Sequence, residues 1–159
     1  MTNNEILRRI QAALTLGEDQ ITQIFLNVGL GVDPASATGY FLEPETAGFV
    51  ECPNASLAGF LDGLIIAFRG VNDKNPAPKS FTDAKLDNSD VFKKLRIALD
   101  MHHIDVNTTL GRTGVNLSKS DLASYFRSKG HAHYKPASDA VLRAFLSGYK
   151  APRRPRIVR

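Results

Sequence analysis

The sequence predicts an all-α protein made of two tandem, homologous four-helix modules. Apolar residues recur at helical spacing, and no alternating strand pattern of useful length occurs. A shift of 85 positions also aligns the chain with itself, so that residues 3–65 pair with residues 88–150 without a gap. Twelve of these 63 pairs are identical and most apolar positions stay apolar, which indicates a tandem duplication.

The first helix of each copy follows a polar residue of the kind that satisfies free backbone donors at a helix start. We predict this cap at Asn3 or Asn4 in copy one, and at Asn88 or Ser89 in copy two. An acidic residue follows in both copies and suits the positive end of the helix dipole. Each copy is therefore expected to begin with an amphipathic helix.

Turn residues separate the second helix from the third. We predict that the second helix ends at Gly29 in copy one and at Gly114 in copy two, because glycine suits the left-handed position after a helix. The third, shorter helix is predicted to begin at Asp33, which a proline follows, and at Ser118 in the second copy.

The fourth helix has the clearest pattern, a single apolar stripe that both copies share. The string "AGFLDGL" at 58–64 is repeated as "RAFLSGY" at 143–149. Glycine inside a helix costs about 1 kcal/mol, so Gly63 and Gly148 are expected to allow close approach of another helix. The apolar residues that the two strings share are interpreted as core: Phe60, Leu61, Phe145 and Leu146.

The predicted domain organisation is a first repeat over 1–70, a linker over 71–87, a second repeat over 88–150 and a basic tail over 151–159. The linker is rich in Pro, Asn, Asp and Lys, a composition typical of exposed connections. No run of eighteen apolar residues and no secretory signal occurs, and a single cysteine, Cys52, excludes an intramolecular disulfide. A cytoplasmic protein without a membrane partner is expected.

Three strings carry a resemblance to a known family: "NNEILRRIQAAL", "FVECPNASLAGFLDGLIIAFRG" and "VFKKLRIAL". Together they resemble the YehS-like bacterial family, the domain of unknown function 1456, over about Asn3 to Lys150. The resemblance implies a small helical cytoplasmic protein with two similar modules and no established activity, so it supplies no catalytic residues. Copy two departs from copy one by having Ala137-Ser138 where copy one has Cys52-Pro53.

Charge divides the two copies more sharply than any motif. Residues 1–70 hold three basic and eight acidic side chains, a net charge of −5. Residues 88–150 hold ten basic and five acidic side chains, a net charge of +5, and residues 151–159 add four arginines. A basic half and tail are typical of electrostatic capture of nucleic acid.

The charge pattern predicts a non-enzymatic protein that either associates with nucleic acid or has a regulatory role. Aromatic residues interleave with the basic side chains around the third helix of copy two. The residues predicted to contact nucleic acid are Lys119, Arg127, Lys129, Lys135, Arg153, Arg154 and Arg156. The alternative is a protein-interaction module or homo-oligomer that uses apolar helix faces and oppositely charged lobes. Such lobes also have the charges to attract each other within one chain.

The second and third helices share the rhythm of a DNA-binding helix-turn-helix, and only copy two has the charge for it. No catalytic, cofactor or metal site is predicted. The four histidines, which all lie in copy two, have no counterparts in copy one: His102, His103, His131 and His133. No phosphate-binding loop, nucleophile elbow or zinc-protease motif occurs, and Cys52 is interpreted as a buried residue at a helix start.

Overall fold

A computed structural model describes residues 1–71 and 83–151, and within these ranges it contains eight α-helices and no strand. The all-α tandem fold predicted from the sequence is thereby confirmed. None of these eight helices is both long enough and apolar enough to cross a membrane. The helices are α1 (Asn3–Leu14), α2 (Glu18–Leu26), α3 (Pro34–Gly39), α4 (Asn54–Arg69), α5 (Asn88–Ala98), α6 (His103–Gly111), α7 (Lys119–Phe126) and α8 (Asp139–Gly148).

The caps of the first helix in each copy differ from the prediction. Thr2 Oγ1 accepts a hydrogen bond from the Glu5 amide at 3.1 Å, and Asp87 Oδ1 accepts one from the Asp90 amide at 2.8 Å. The predicted caps at the asparagine and serine positions that follow are therefore wrong. Those side chains lie inside the first turn, where distant partners hold them.

The asparagines that begin α1 and α5 make the same long-range hydrogen bond in both copies. Asn3 Nδ2 donates to the carbonyl oxygen of Cys52 at 3.0 Å, and Asn88 Nδ2 donates to that of Ala137 at 3.1 Å. Donors and acceptors are both 85 residues apart, so the duplication preserves the contact. It fixes the start of the first helix against the segment that leads into the fourth.

The second helices end before the glycines that were predicted to terminate them. Helix α2 ends at Leu26 and α6 at Gly111. Gly29 and Gly114 lie in the turns that follow, with φ values of 66° and 78°. These left-handed conformations favour glycine, so the predicted role is correct although the helix ends are not.

Four helices meet where the two copies join. Helix α4 packs against α5, and α1 packs against α8, while α2 covers α4 and α6 covers α8. If the two copies are exchanged, the α4–α5 contact becomes the α8–α1 contact and the α2–α4 contact becomes the α6–α8 contact. This equivalence indicates an approximate two-fold axis between the copies. The buried apolar side chains of both copies form one core, which includes the four residues predicted from the shared strings.

This packing does not reproduce a helix-turn-helix in copy two. Helix α6 packs mainly against α8, and α7 packs against α5. A DNA-binding unit needs its second helix braced on its first across a turn of roughly three to four residues. Seven residues separate Gly111 from Lys119. The helix-turn-helix interpretation of this segment is therefore wrong.

Ion pairs join the acidic first copy to the basic second copy. Arg143 Nε lies 2.9 Å from Glu5 Oε2, and Lys94 Nζ lies 2.6 Å from Asp62 Oδ1. In these two pairs the acid belongs to copy one and the base to copy two, while the pair of Arg69 with Asp100 has the reverse polarity. Part of the charge difference between the lobes therefore acts within the chain, as one of the sequence interpretations held.

Two glycines allow the fourth helix of each copy to touch the backbone of the second. A methyl group on Gly63 would overlap the carbonyl oxygen of Ile24, and one on Gly148 would overlap that of Thr109. The two pairs are again 85 residues apart. The close approach predicted for these glycines is confirmed, with the backbone itself as the contacting surface.

Replacing Gly63 by alanine should lower the free energy of unfolding by about 1–3 kcal/mol, because the helices would have to separate. Gly111→Ala is the matched control, since Gly111 also lies in a helix and has no neighbour that an added methyl group would meet. Chemical denaturation of both variants measures the difference. Equal stabilities would contradict the proposed contact.

The ion pair between the copies predicts a specific acid sensitivity. Hydrogen bonds from Arg143 lower the pKa of Glu5 from 4.5 to about 2, with a further contribution from Arg9 and against the opposing effect of burial. A lowered pKa in the folded state means that this stabilisation is present above pH 4.5 and is lost as the pH falls towards 2.

Glu5→Gln should therefore make the fall in stability over that pH range shallower than in the wild type. Glu18→Gln, which removes an exposed carboxylate at the start of α2, is the control. Denaturation midpoints measured across the range provide the test. A Glu5→Gln profile with the wild-type slope would show that the pair does not contribute.

Candidate functional site

A surface patch on the second copy brings together arginine and aromatic side chains from three helices and a loop. We call it the arginine–aromatic patch, and it consists of Arg96, His103, Phe126, Arg127 and His131. The Arg96 guanidinium carbon lies 4.7 Å from the centre of the Phe126 ring. The His103 ring stacks on the same phenyl ring at 6.1 Å, with an interplanar angle of 24°.

Helix ends position the members of this patch. Arg96 lies in the last turn of α5, where its Nε donates to the carbonyl oxygen of Met101 at 3.0 Å. His103 begins α6, and Phe126 ends α7 with its ring edge-on to buried Phe92, at 5.2 Å between centres. A cation over an aromatic face is attracted by the negative charge density of the ring, which favours this arrangement.

Arg127 and His131 extend the patch into the loop after α7. Arg127 Nη1 lies 3.4 Å from His131 Nε2, and both side chains are exposed. The neighbouring His133 amide donates to His131 Nδ1 at 3.0 Å, which orients the imidazole ring. Arg96 and His103 thus contact the phenyl ring itself, and Arg127 and His131 contact each other in the loop that follows it.

Copy one has the same backbone frame without this chemistry. The positions equivalent to the patch hold Gln11, Glu18, Phe41, Leu42 and Thr46. Gln11 Nε2 still donates to the carbonyl oxygen of Leu16 at 3.4 Å, as Arg96 does to the equivalent carbonyl in copy two. The duplication therefore preserves the helix-end hydrogen bond and the phenyl ring but not the positive charge.

The lysines predicted to contact nucleic acid do not all lie free at the surface. Lys129 Nζ lies 2.6 Å from Asp90 Oδ2, and this hydrogen bond chiefly raises the pKa of the lysine. Lys135 Nζ lies 3.3 Å from Asp121 Oδ1. Both amines remain exposed, but each already has a carboxylate partner that a phosphate would have to displace.

The other predicted cations differ from these two. Lys119 begins α7, is exposed and has no ion pair among residues 1–71 and 83–151. Arg127 contacts only an imidazole within the same part of the chain. The predicted residues Arg153, Arg154 and Arg156 lie outside the described residues.

A cleft of about 560 Å³ lies between the two copies. Equivalent residues of both repeats form its apolar wall, namely Leu14 with Leu99 and Leu16 with Met101. Helix α6 contributes a polar side that ends at Arg112, close to the end of α8. The cleft depends on the joining of the copies, because neither repeat alone holds both walls.

Cys52 is buried, with 3% of its surface exposed, and its amide donates to Asn4 Oδ1 at 3.0 Å. Burial raises the pKa of the thiol to about 12, so the reactive thiolate does not form near neutral pH. Within the described ranges no three His, Cys, Asp or Glu side chains converge in a way that could hold a metal ion.

Arg127 is the only patch member that was predicted from the sequence to contact nucleic acid, although Phe126 is one of the aromatic residues noted between the basic side chains. Arg96, His103 and His131 were not predicted as contacts, because the patch forms only when α5, α6 and α7 come together in the fold. The signal that could have found them is the repeat alignment itself. Arg96 replaces a neutral Gln11, and His103 replaces an acidic Glu18, at positions that the duplication makes equivalent.

Comparison with known proteins gives a family but no activity. The model of the family described as "Protein of unknown function (DUF1456)" matches residues 3–70 and 88–154. The chain is 27% identical over 151 residues to the uncharacterized protein YehS of Escherichia coli (strain K12), which covers 95% of this chain and 96% of the relative. No solved structure matches the chain.

The environment of Cys52 predicts that the native protein resists thiol reagents. Dithionitrobenzoate should react slowly with the folded chain, even at mildly alkaline pH, because the thiol is buried and protonated. One thiol equivalent should react rapidly in guanidinium chloride. Absorbance of the released thiolate measures both rates, and rapid reaction of the native protein would contradict the buried assignment.

Proposed function

The chain belongs to the family of proteins of unknown function DUF1456, and from its own surface we propose a non-enzymatic protein that binds single-stranded nucleic acid through the arginine–aromatic patch. The observation that carries the proposal is the stack of Arg96, Phe126 and His103, which copy one lacks. Arginines beside exposed aromatic rings supply both phosphate contacts and surfaces for base stacking.

Phosphate contacts come first in this proposal. Arg127 and Lys119 are exposed and have no carboxylate partner in the described part of the chain. A guanidinium also matches a phosphate with two parallel hydrogen bonds, so Arg127 is the better of the two for fixing a backbone. Lys129 and Lys135 are secondary contributors, because each must first leave an aspartate.

Stacking is assigned to His103. Its side chain is exposed and one ring face lies on Phe126, so the other face can receive a base. Arg96 also lies over the phenyl ring, and buried Phe92 packs against that ring at an interplanar angle of 73°. The stack is therefore fixed before any ligand arrives, which lowers the entropy lost on binding.

A single strand fits this geometry better than a duplex. Groove reading by a helix requires a braced recognition helix, and α7 packs against α5 instead of α6. Bases of a single strand are unpaired and can turn towards an aromatic platform. The basic tail, with Arg153, Arg154 and Arg156, is proposed to add charge to this interface, and the cytoplasm is proposed as its location.

The alternative of a protein-interaction module or homo-oligomer has less support. Opposite charges of the two lobes already pair within the chain, as in the contact of Glu5 with Arg143. The large apolar side chains exposed in the described part of the chain lie on four separate segments: Leu26, Val71, Ile97 and Ile104. Apolar residues scattered in this way are normal at the surface of a monomer.

Exchanging patch residues for their counterparts in copy one tests the proposal. Arg96→Gln together with Arg127→Leu should weaken binding of a fluorescein-labelled oligouridylate by about ten-fold or more at low salt. If each arginine contacts one phosphate, the plot of log K against log salt should become shallower, its slope smaller in magnitude by about 1.4. Fluorescence anisotropy over a salt series measures both quantities.

The control is Arg69→Gln, which removes an exposed arginine from the last turn of α4 in copy one. It should leave the affinity and the slope close to those of the wild type. His103→Glu separately tests stacking. It should lower the affinity for the oligouridylate more than the affinity for a duplex of equal charge. Absence of binding by the wild type at low salt, or equal loss in the Arg69 control, would refute the patch.

A further inference from the structure

We infer that the cleft between the two repeats is a binding site for a small amphipathic anion, an organic acid with an apolar body. This inference is independent of the nucleic-acid proposal, because it concerns different side chains. The cavity of about 560 Å³ falls within the range of about 300–1,000 Å³ that is typical of small-molecule sites. Residues of both copies line it.

The apolar part of the site comes from the turns after α1 and α5. Leu14 and Leu99 are equivalent by the duplication, and so are Leu16 and Met101. All four line the cleft, and Phe68 near the end of α4 closes one side. Burial of a hydrocarbon or aromatic body against these side chains gives a favourable, non-directional contribution to binding.

The anionic end of the ligand is assigned to Arg112. Its Nη1 donates to the carbonyl oxygen of Gly148 at 3.0 Å, which fixes the guanidinium at the edge of the cleft. A guanidinium has five N–H donors, so this one bond leaves a fork available for a carboxylate or sulfonate. Lys150 and Thr108 also line the cleft and add a second charge and a hydroxyl.

Two carboxylates also line the cleft, and both already have partners. Asp100 Oδ1 lies 2.8 Å from Arg69 Nη1, and Asp105 Oδ2 accepts a hydrogen bond from the His102 amide at 2.8 Å. A cationic ligand would compete with Arg69 for Asp100, and the charge of Asp105 is already stabilised by the start of its own helix. An anionic ligand can use Arg112 and Lys150 without breaking an ion pair, which is why we assign an anion.

Copy one shows that the charge of Arg112 is not needed for the fold. The equivalent residue is Asn27, whose Nδ2 donates to the carbonyl oxygen of Gly63 at 3.2 Å. This is the same helix-to-helix bond that Arg112 makes to Gly148. A neutral amide therefore suffices for this packing bond. The guanidinium of Arg112 has further N–H donors and a positive charge that the bond does not need.

Two dyes of nearly identical shape test the site. Anilinonaphthalene sulfonate has an apolar body with an anionic group, and phenylnaphthylamine is its neutral counterpart. Both dyes should bind the full-length folded protein saturably, with one-to-one stoichiometry. Fluorescence titration measures this binding. Octanoate should compete with the sulfonate dye, since it offers the same combination of an apolar chain and an anion.

Arg112→Asn copies the residue of the first repeat and should preserve the bond to Gly148. We expect this variant to bind the sulfonate dye about ten-fold more weakly, as expected for loss of a charge-assisted hydrogen bond. Its affinity for the neutral dye should be unchanged. Thr108→Trp at an exposed position of α6 should fill the cleft and weaken both dyes. Lys119→Asn removes an equal charge from α7, outside the cleft, and should change neither.

Four outcomes would overturn the inference. They are absence of saturable dye binding, equal loss of both dyes in Arg112→Asn, equal effects of Arg112→Asn and Lys119→Asn, or normal binding by folded Thr108→Trp. If the tryptophan variant does not fold, the comparison of the two dyes in Arg112→Asn still decides the question. Oligouridylate binding should stay unchanged in Arg112→Asn, which separates this site from the arginine–aromatic patch.

Discussion

Helix α4 packs against α5 and α1 packs against α8, and these two contacts hold the two copies together. They merge the apolar faces of two small repeats into one core. A module of this size buries a smaller fraction of its apolar surface by itself, so association with its twin is a direct source of stability. The same packing creates the cleft, because its walls come from both copies.

The duplication preserves hydrogen-bond geometry more faithfully than residue identity. Asn27 and Arg112 are different residues, yet each donates to the backbone of a glycine in the fourth helix of its copy. Gln11 and Arg96 similarly donate to equivalent carbonyl oxygens. In both cases an amide and a guanidinium are interchangeable as donors, which left the charge of the second copy free to change.

This interchangeability explains how the two copies differ in charge on the same frame. Arg96 and Arg112 make the structural bond of their neutral counterparts and have a positive charge besides. A phenyl ring is present at the equivalent positions of Phe41 and Phe126, and in copy two the guanidinium of Arg96 lies over it. The arginine–aromatic patch and the arginine end of the cleft thus rest on the same kind of difference between the copies, on a frame that both copies share.

The helices, the 85-residue duplication and the close approach at Gly63 and Gly148 could be predicted from the sequence, because apolar periodicity and the cost of glycine in a helix are properties of short segments. The caps of α1 and α5 were misplaced, since the asparagines there bond to backbone about fifty residues away. Which charges are paired, as with Lys129 and Asp90, and which side chains from separate helices share a surface follow from the fold alone. Those outcomes depend on distances across the fold, which the order of residues along the chain does not specify.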